Sequence, residues 1–425
     1  MSCIAHAQRT FAEINPVDAI PRDRLVTDRE LVSLLDPGLP ALQPVRRALA
    51  TGDTSQALQQ LAQYLRQRSA PRYFFTPGEV RERAAAFARR YPAAVTKVRR
   101  DVQTFKTQYG ADVDWMMPGQ NRQGTPHDPN TIRTLARQWQ AENIALSYYL
   151  GQRDRAQIDF LMEHVRDFVR DYEAGRAETG ANDVFERFYA GHRMRNWLLA
   201  HHLLLGTPEY RWQDQVLMLK VFLLHGARVV DQSLKFSWGN HQLHGLAGLY
   251  EVSVMYPELP VMRAWNQQAL KVLVEHLEKE IEEDGFQFER ASHYHLLDIL
   301  NYFRVYQISQ LNNIDLPAFY PERFRKMFDA VVALSMPNQR LPIIQDVSDS
   351  TWVTVDPPQQ EMSIGAMLFT EPTYKFLAAD VLPVSLYWFF DAGAPDRYAG
   401  IRARAPTVGS VALPQSKYYV MRSGW

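Results

Sequence analysis

Two segments of this chain carry polar side chains of the kinds that move protons or hold anions, at spacings that break an otherwise apolar pattern. The first is FSWGNHQLHGLAGLY, residues 236–250. Asn240 and His241 follow the helix breaker Gly239 and precede an apolar run, so both are expected near a helix N-terminus. Backbone N–H groups and the helix dipole favour an anion there. An amide and an imidazole at such a point can hold a carboxylate, although Asn240 also suits a plain N-cap. His244, one turn on, reads as packing. The second segment is EEDGFQFERASHYHLLDIL, residues 282–300. A helix should stop at Gly285 and another should start near Ser292, with Glu289, Tyr294 and His295 around that start. A phenol, an imidazole and a carboxylate together supply a proton acceptor and the groups that tune it. The competing reading is a loop with core aromatics and a capping Ser292.

These segments need elements to position them, and the sequence supplies helices. Apolar residues recur at helical spacing through most of the chain. Thr54 to Arg68 places Leu58, Leu61 and Leu65 on one face. Thr131 to Leu150 does so with Ile132, Leu135, Trp139 and Leu146. Arg263 to Glu283 does so with Trp265, Ala269, Val272, Leu273, Leu277 and Ile281, ending at Asp284-Gly285. No alternating strand pattern stands out between residues 50 and 340. The joints LGQRDRAQID (150–159), LGTPEYRWQD (205–214) and MYPELPVMRAW (255–265) each close one helix and open the next. They recur about every 50 residues, the length of an antiparallel helix pair with its loops. Their divergence favours an α/α toroid with a cleft over an open solenoid.

The chain has 425 residues, with 47 basic and 47 acidic side chains. That balance argues against a nucleic-acid or anionic-membrane partner, which calls for a basic excess. No stretch reaches the ~20 apolar residues of a spanning helix. Cys3 is the single cysteine, which excludes disulfides within the chain and cysteine metal sites. Around it, Ala5-His6-Ala7 fits the cleavage site of a signal peptide. Residues 1–8 are therefore expected to be a residual leader, and the protein periplasmic or secreted. No phosphate loop, dinucleotide fingerprint or nucleophile elbow is present. The histidines, including His201-His202, lack metal-ligand spacing, so no metal and no cofactor are expected. Glu280, Glu282, Glu283 and Asp284 crowd a helix C-terminus, where negative charge is disfavoured. They read as a solvated charged end, with a cation site as the alternative.

Taken together, the two segments resemble the heparinase II/III group of polysaccharide lyases, and within it the heparan sulfate lyases. The pattern is carried by Gly239-Asn240-His241, by the turn Tyr256-Pro257-Glu258-Leu259, by Asp284-Gly285-Phe286-Gln287-Phe288-Glu289 and by Tyr294-His295. The likeness extends upstream through DVDWMM (112–117), Trp139 and Arg193, and downstream through LPIIQDVSDSTW (341–352) to YYVMRSGW (418–425). The resemblance implies an all-α fold, an incomplete α/α toroid over residues 9–400, followed by a β-sandwich of which residues 401–425 would be the first strands.

It also implies β-elimination on an acidic, uronate-containing polysaccharide. Asn240 and His241 would hold the uronate carboxylate, and Tyr294 would transfer the proton. Glu289, His295 and Arg193 would support them. Trp115, Tyr189, His192, Trp238 and Arg290 would contact the glycan. Tyr189 and His192 stand where the family has acidic residues, and the family's further histidine from the β-sandwich has no counterpart in this chain. Alginate or another uronan is an alternative substrate. Other readings are a toroid hydrolase, with Asp114 and Glu289 as its carboxylate pair, and a non-catalytic glycan-binding module.

Overall fold

Helices form where the apolar spacing demands them. In the computed structural model, which describes residues 20–116, 135–180, 183–345 and 357–425, they run as follows. The first nine are α1 (Asp28–Ser33), α2 (Gln43–Ala50), α3 (Thr54–Gln67), α4 (Val80–Arg90), α5 (Pro92–Gln108), α6 (Gln140–Leu150), α7 (Arg155–Glu173), α8 (Arg187–Leu204) and α9 (Trp212–Asp231). Then come α10 (Asn240–Met255), α11 (Pro260–Glu280), α12 (Ser292–Leu311), α13 (Phe319–Leu334), α14 (Gln359–Phe369), α15 (Pro372–Leu377) and α16 (Ala394–Gly400). Two short strands follow, β1 (Val411–Leu413) and β2 (Tyr418–Val420). Between residues 50 and 340 the described residues hold no named strand, only an isolated antiparallel bridge between Ile281 and Gln287. The expected leader, residues 1–8, lies outside the described residues.

The three repeated joints fall where expected: α6 to α7, α8 to α9, and α10 to α11. The apolar stripe read for α11 is buried throughout, from Trp265 to Ile281. That helix ends at Glu280, three residues early, because Ile281 leaves it to pair with Gln287. Asp53 caps α3 by accepting the Gln56 N–H at 2.8 Å. Leu58 and Leu61 are buried there, while Leu65 is only half-buried.

One expected helix differs. Within 131–150 the helical run is interrupted at Gln138, which has φ 60°, and α6 starts afresh at Gln140. Trp139 therefore leaves the apolar face and is 48% exposed. Ile132 lies outside the described residues.

Two compact units share the chain. The first holds Met1–Ser237 and His244–Leu270; the second holds Trp238–Leu243 and Lys271–Trp425. Helices α10 and α11 thus contribute residues to both. In the first unit α6 packs on α5, α7 and α8, and α9 packs on α8 and α3. In the second, α12, α13 and α14 pack on one another, and α15 packs on α13 and α14. Residues 401–425 fall within the second unit. Their strands pair with each other, Val411 opposite Val420 and Leu413 opposite Tyr418. The chain turns back at Ser416 and Lys417 to form this hairpin. The hairpin is anchored to its unit by Ser416, whose N–H and hydroxyl both donate to Asp284, and by Tyr418, whose hydroxyl donates to the Arg290 carbonyl.

Of the buried histidines, five are shifted strongly by burial in the helical core of their unit. Burial pushes His164 and His295 down to about 4 and His202 to about 3, and holds His201 and His225 well below 6.5. The folded chain keeps these rings neutral, whereas the unfolded chain protonates them below about 6.5. Stability is therefore complete above that value and lost as the pH falls toward the folded values. Thermal melts at pH 7, 5.5 and 4.5 should show a falling melting temperature, steepest in the last interval. A melting temperature constant over that range would contradict the buried neutral rings.

Candidate active site

The start of α10 is set by Gly239. Its φ of 95° lies in the region glycine occupies without strain, and it turns the chain out of the preceding irregular stretch into the helix. The Gly239 N–H donates to Glu280 Oε1 at 2.7 Å. Glu280 is the last residue of α11 and is fully buried. Its other oxygen lies 2.9 Å from Nδ1 of His276, one turn earlier and equally buried. The other nitrogen of that ring faces Gln242 Oε1, in the first turn of α10, at 3.2 Å. Gly239, Glu280, His276 and Gln242 thus form one polar chain tying the beginning of α10 to the end of α11.

After α11 the chain folds into a tight hairpin. Glu282 N–H donates to Phe286 O at 2.9 Å and Phe288 N–H to Glu280 O at 2.8 Å. Gly285, at φ 90°, occupies the turn, where a Cβ would come within 2.1 Å of the Lys326 carbonyl oxygen. The hairpin returns Phe288 and Glu289 alongside the Gly239 turn. A Cβ on Gly239 would lie 3.9 Å from Glu289 Oε1, and the rings of Trp238 and Phe288 are 5.0 Å apart. Gln287 holds Glu289 twice: its amide donates to Glu289 Oε1 at 3.0 Å, and its oxygen accepts the Glu289 N–H at 2.8 Å. The two sequence segments therefore meet in the second unit.

Around this junction Trp238 is 57% exposed, His241 is exposed, and Asn240, Glu289, Arg290 and Tyr294 are half-buried. Tyr294 sits in the first turn of α12, five residues beyond Glu289. Ser292 does not cap that helix; its hydroxyl donates to the Pro342 carbonyl at 2.8 Å.

Below the junction lies a third acid. Asp298 is fully buried, and its carboxyl is raised well above the ordinary range, first by burial and then by the charges of Glu280 and Glu289.

Three residues expected at the site are fully enclosed in the core of their own unit. His295 is fully buried, faces the Met327 carbonyl at 3.0 Å and stacks on Phe286 at 4.5 Å. Burial keeps it neutral, so it brings no cation to Tyr294. Arg193 is enclosed in the first unit. Its nitrogens donate to the carbonyls of Ala136 (2.6 Å) and Val184 (2.7 Å) and to His225 Nε2 (2.8 Å), leaving it to brace α8 from within. Trp115 is also core; its indole N–H donates to Asp167 at 3.0 Å and its ring meets Phe168 edge-on. Tyr189 and His192 lie in the first unit, mostly buried beside an exposed aromatic. His192 is 4.9 Å from the Trp139 ring and 4.5 Å from that of His244, and Arg137 covers the Tyr189 ring at 5.4 Å.

The acidic cluster after α11 is not the solvated end read from the sequence. Glu280 is buried and Asp284 is bonded to Ser416. No group of three or more metal-ligating side chains occurs among the described residues. Sequence reasoning missed Glu280 as a site residue. Its signal was a carboxylate at a helix C-terminus, which needs a partner, with a histidine four residues before it.

This architecture can be set beside known proteins. Residues 31–368 match the model of the heparinase II/III N-terminus family. The chain belongs to that family. Among curated relatives, the heparin-sulfate lyase of Pedobacter heparinus is 22% identical over 407 residues, covering 90% of this chain and 55% of the relative. The heparin-sulfate lyase of Bacteroides stercoris is 20% identical over 346 residues, 75% of this chain and 49% of the relative. The chain thus spans about half the length of these curated relatives. A crystal structure of heparinase III is similar with a TM-score of 0.69 at 16% identity, over 94% of this chain and 60% of that one. The heparan sulfate lyase of Pedobacter heparinus gives a TM-score of 0.61 at 20% identity, over 94% and 59%. That likeness shows the fold class of this heparinase II/III member: all-α, the incomplete α/α toroid of helix pairs. No helix among its described residues is long and apolar enough to cross a membrane.

The buried Asp298 gives a test of the site's electrostatics. The folded state keeps a proton that the unfolded chain releases above about 3.8, so this carboxyl reduces stability progressively as the pH rises past that value. Asp298→Asn removes the ionisation and keeps the shape. The variant should melt higher than the parent at pH 8, with the difference shrinking toward pH 4. A difference independent of pH would contradict a protonated Asp298.

Proposed function

We propose that this chain is a polysaccharide lyase that cleaves a uronate-containing glycan of the heparan sulfate type by β-elimination. The observation that carries the reading is the meeting of the Gly239-Asn240-His241 turn with Glu289, whose Oε1 lies 3.9 Å from the point where a side chain on Gly239 would begin. It brings the residues suited to hold a carboxylate beside the segment that carries the phenol. The names of the relatives point to the same glycan class.

In this mechanism Asn240 and His241 hold the uronate carboxylate. Their hydrogen bonds strengthen as the C5 proton leaves and charge moves onto the carboxylate oxygens. Tyr294, deprotonated, removes the C5 proton. The electron pair forms the C4–C5 double bond, and the C4–O4 bond breaks. The phenol then returns its proton to the leaving O4. A free tyrosine has a pKa of ~10, so the base form needs a donor or cation nearby. Arg290, between Glu289 and Tyr294, takes that role here, since His295 is neutral and buried. Trp238 offers a ring face for a sugar. In the first unit, Tyr189 and His192 are saccharide contacts in their own right, grouped with the exposed Trp139. As aromatic groups they bring no negative charge against an acidic chain, as carboxylates would.

Turnover is followed by absorbance near ~232 nm, the signature of the double bond formed by proton abstraction beside a carbonyl. Heparan sulfate should yield this signal. Tyr294→Phe keeps the ring and removes the proton-transfer group, so kcat should fall ~10²–10⁴-fold with KM nearly unchanged. Asn240→Ala should lower kcat as well. Chain cleavage without the absorbance would instead support hydrolysis, and binding without cleavage a non-catalytic module.

A further inference from the structure

We propose that Glu280 is a positioning residue for Asn240, acting through the Gly239 N–H; the inference rests on the lyase reading above. Three observations converge on it. Glu280 is a fully buried carboxylate at the C-terminal end of α11, where the helix dipole disfavours it. Its Oε1 accepts the Gly239 N–H at 2.7 Å, the length of a charge-assisted bond. Its Oε2 lies 2.9 Å from His276, whose other nitrogen faces Gln242 in the first turn of α10. One oxygen of the carboxylate is held by the Gly239 N–H and the other lies beside His276, and the bond fixes the peptide that enters the Gly239 turn. That peptide is Trp238–Gly239, and only the φ and ψ of Gly239 separate it from the peptide that carries Asn240, so the direction of the Asn240 side chain follows from it.

The groups facing Glu280 are consistent with a fixed carboxylate. Glu280 and Glu289 both add to the burial that raises the Asp298 carboxyl well above the ordinary range, so Asp298 resists ionising beside them. Glu280 touches no reacting atom. Its contribution is the angle at which the Asn240 amide meets a carboxylate, and a misplacement of ~1 Å at a reacting centre costs on the order of 10²-fold in rate.

Two conservative variants separate reach from charge. Glu280→Gln keeps an oxygen at the same reach and loses the charge; Glu280→Asp keeps the charge and withdraws it by one methylene. Positioning through the Gly239 N–H predicts that Glu280→Gln retains kcat within about fivefold and that Glu280→Asp loses about 10–100-fold, with KM changing little in either. Amide hydrogen exchange at Gly239, read by NMR on the 425-residue chain, gives a second readout that needs no turnover. Its protection should persist in Glu280→Gln and fall in Glu280→Asp. The opposite order, with Glu280→Gln impaired and Glu280→Asp intact, would overturn the proposal in favour of a charge pair with His276. Equal behaviour of both variants and the parent in exchange would overturn it too. An inactive parent chain would count against the lyase reading, and the Gly239 exchange would still decide the role of Glu280.

Discussion

The candidate site in the second unit is organised around one part-buried hydrogen bond, from the Gly239 N–H to the carboxylate of Glu280. A carboxylate wholly out of water needs partners to remain there. Here a backbone N–H donates to one oxygen and an imidazole lies 2.9 Å from the other, and both belong to or adjoin the elements that must meet. Glycine is required at 239 because the chain takes φ 95° there, and the N–H points at Glu280 as a result. The Ile281–Gln287 bridge then reverses the chain so that Phe288 and Glu289 come back along the same turn. Remove the bond, and of the polar chain only the His276–Gln242 contact still ties the start of α10 to the end of α11.

Much of this was legible in the residues. The stripe from Trp265 to Ile281 specified a buried helix, the three joints specified where helix pairs turn, and Gly285 marked the turn that follows α11. The two segments stood out because Gly239 and Gly285 interrupt helical periodicity beside polar side chains. The parts that did not come through are tertiary. Periodicity says that a face is apolar, but not that Gln138 will break the run and turn Trp139 outward. A histidine beside a tyrosine looks like a proton-transfer pair; only packing shows that His295 stacks on Phe286 and lies buried beneath the helix start. Arg193 was attractive as a cation that could support the tyrosine, and Trp115 as an aromatic ring that could contact the glycan. Both instead satisfy buried backbone or carboxylate groups, a demand invisible without the partners.

Glu280 shows the same limit from the other side. Four acids in five residues look like a solvated end, and for a surface helix that would hold. Burial divides them: Glu283 faces water, Asp284 anchors the hairpin of β1 and β2 through Ser416, and Glu280 turns inward to hold Gly239. Identical residue types at adjacent positions thus serve solvation, packing and positioning. Family membership fixes the fold within which this happens, and the polar chain from Gln242 to Gly239 shows how the fold holds its candidate chemistry in place.

The most direct test is a crystal structure of the chain with a uronate-containing oligosaccharide, with Tyr294→Phe used to prevent turnover. The account predicts a uronate carboxylate within hydrogen-bond distance of the Asn240 amide nitrogen, its C5 directed at the ring of residue 294, and the Gly239–Glu280 bond intact. An oligosaccharide seated elsewhere, or one whose carboxylate points away from Asn240, would contradict it.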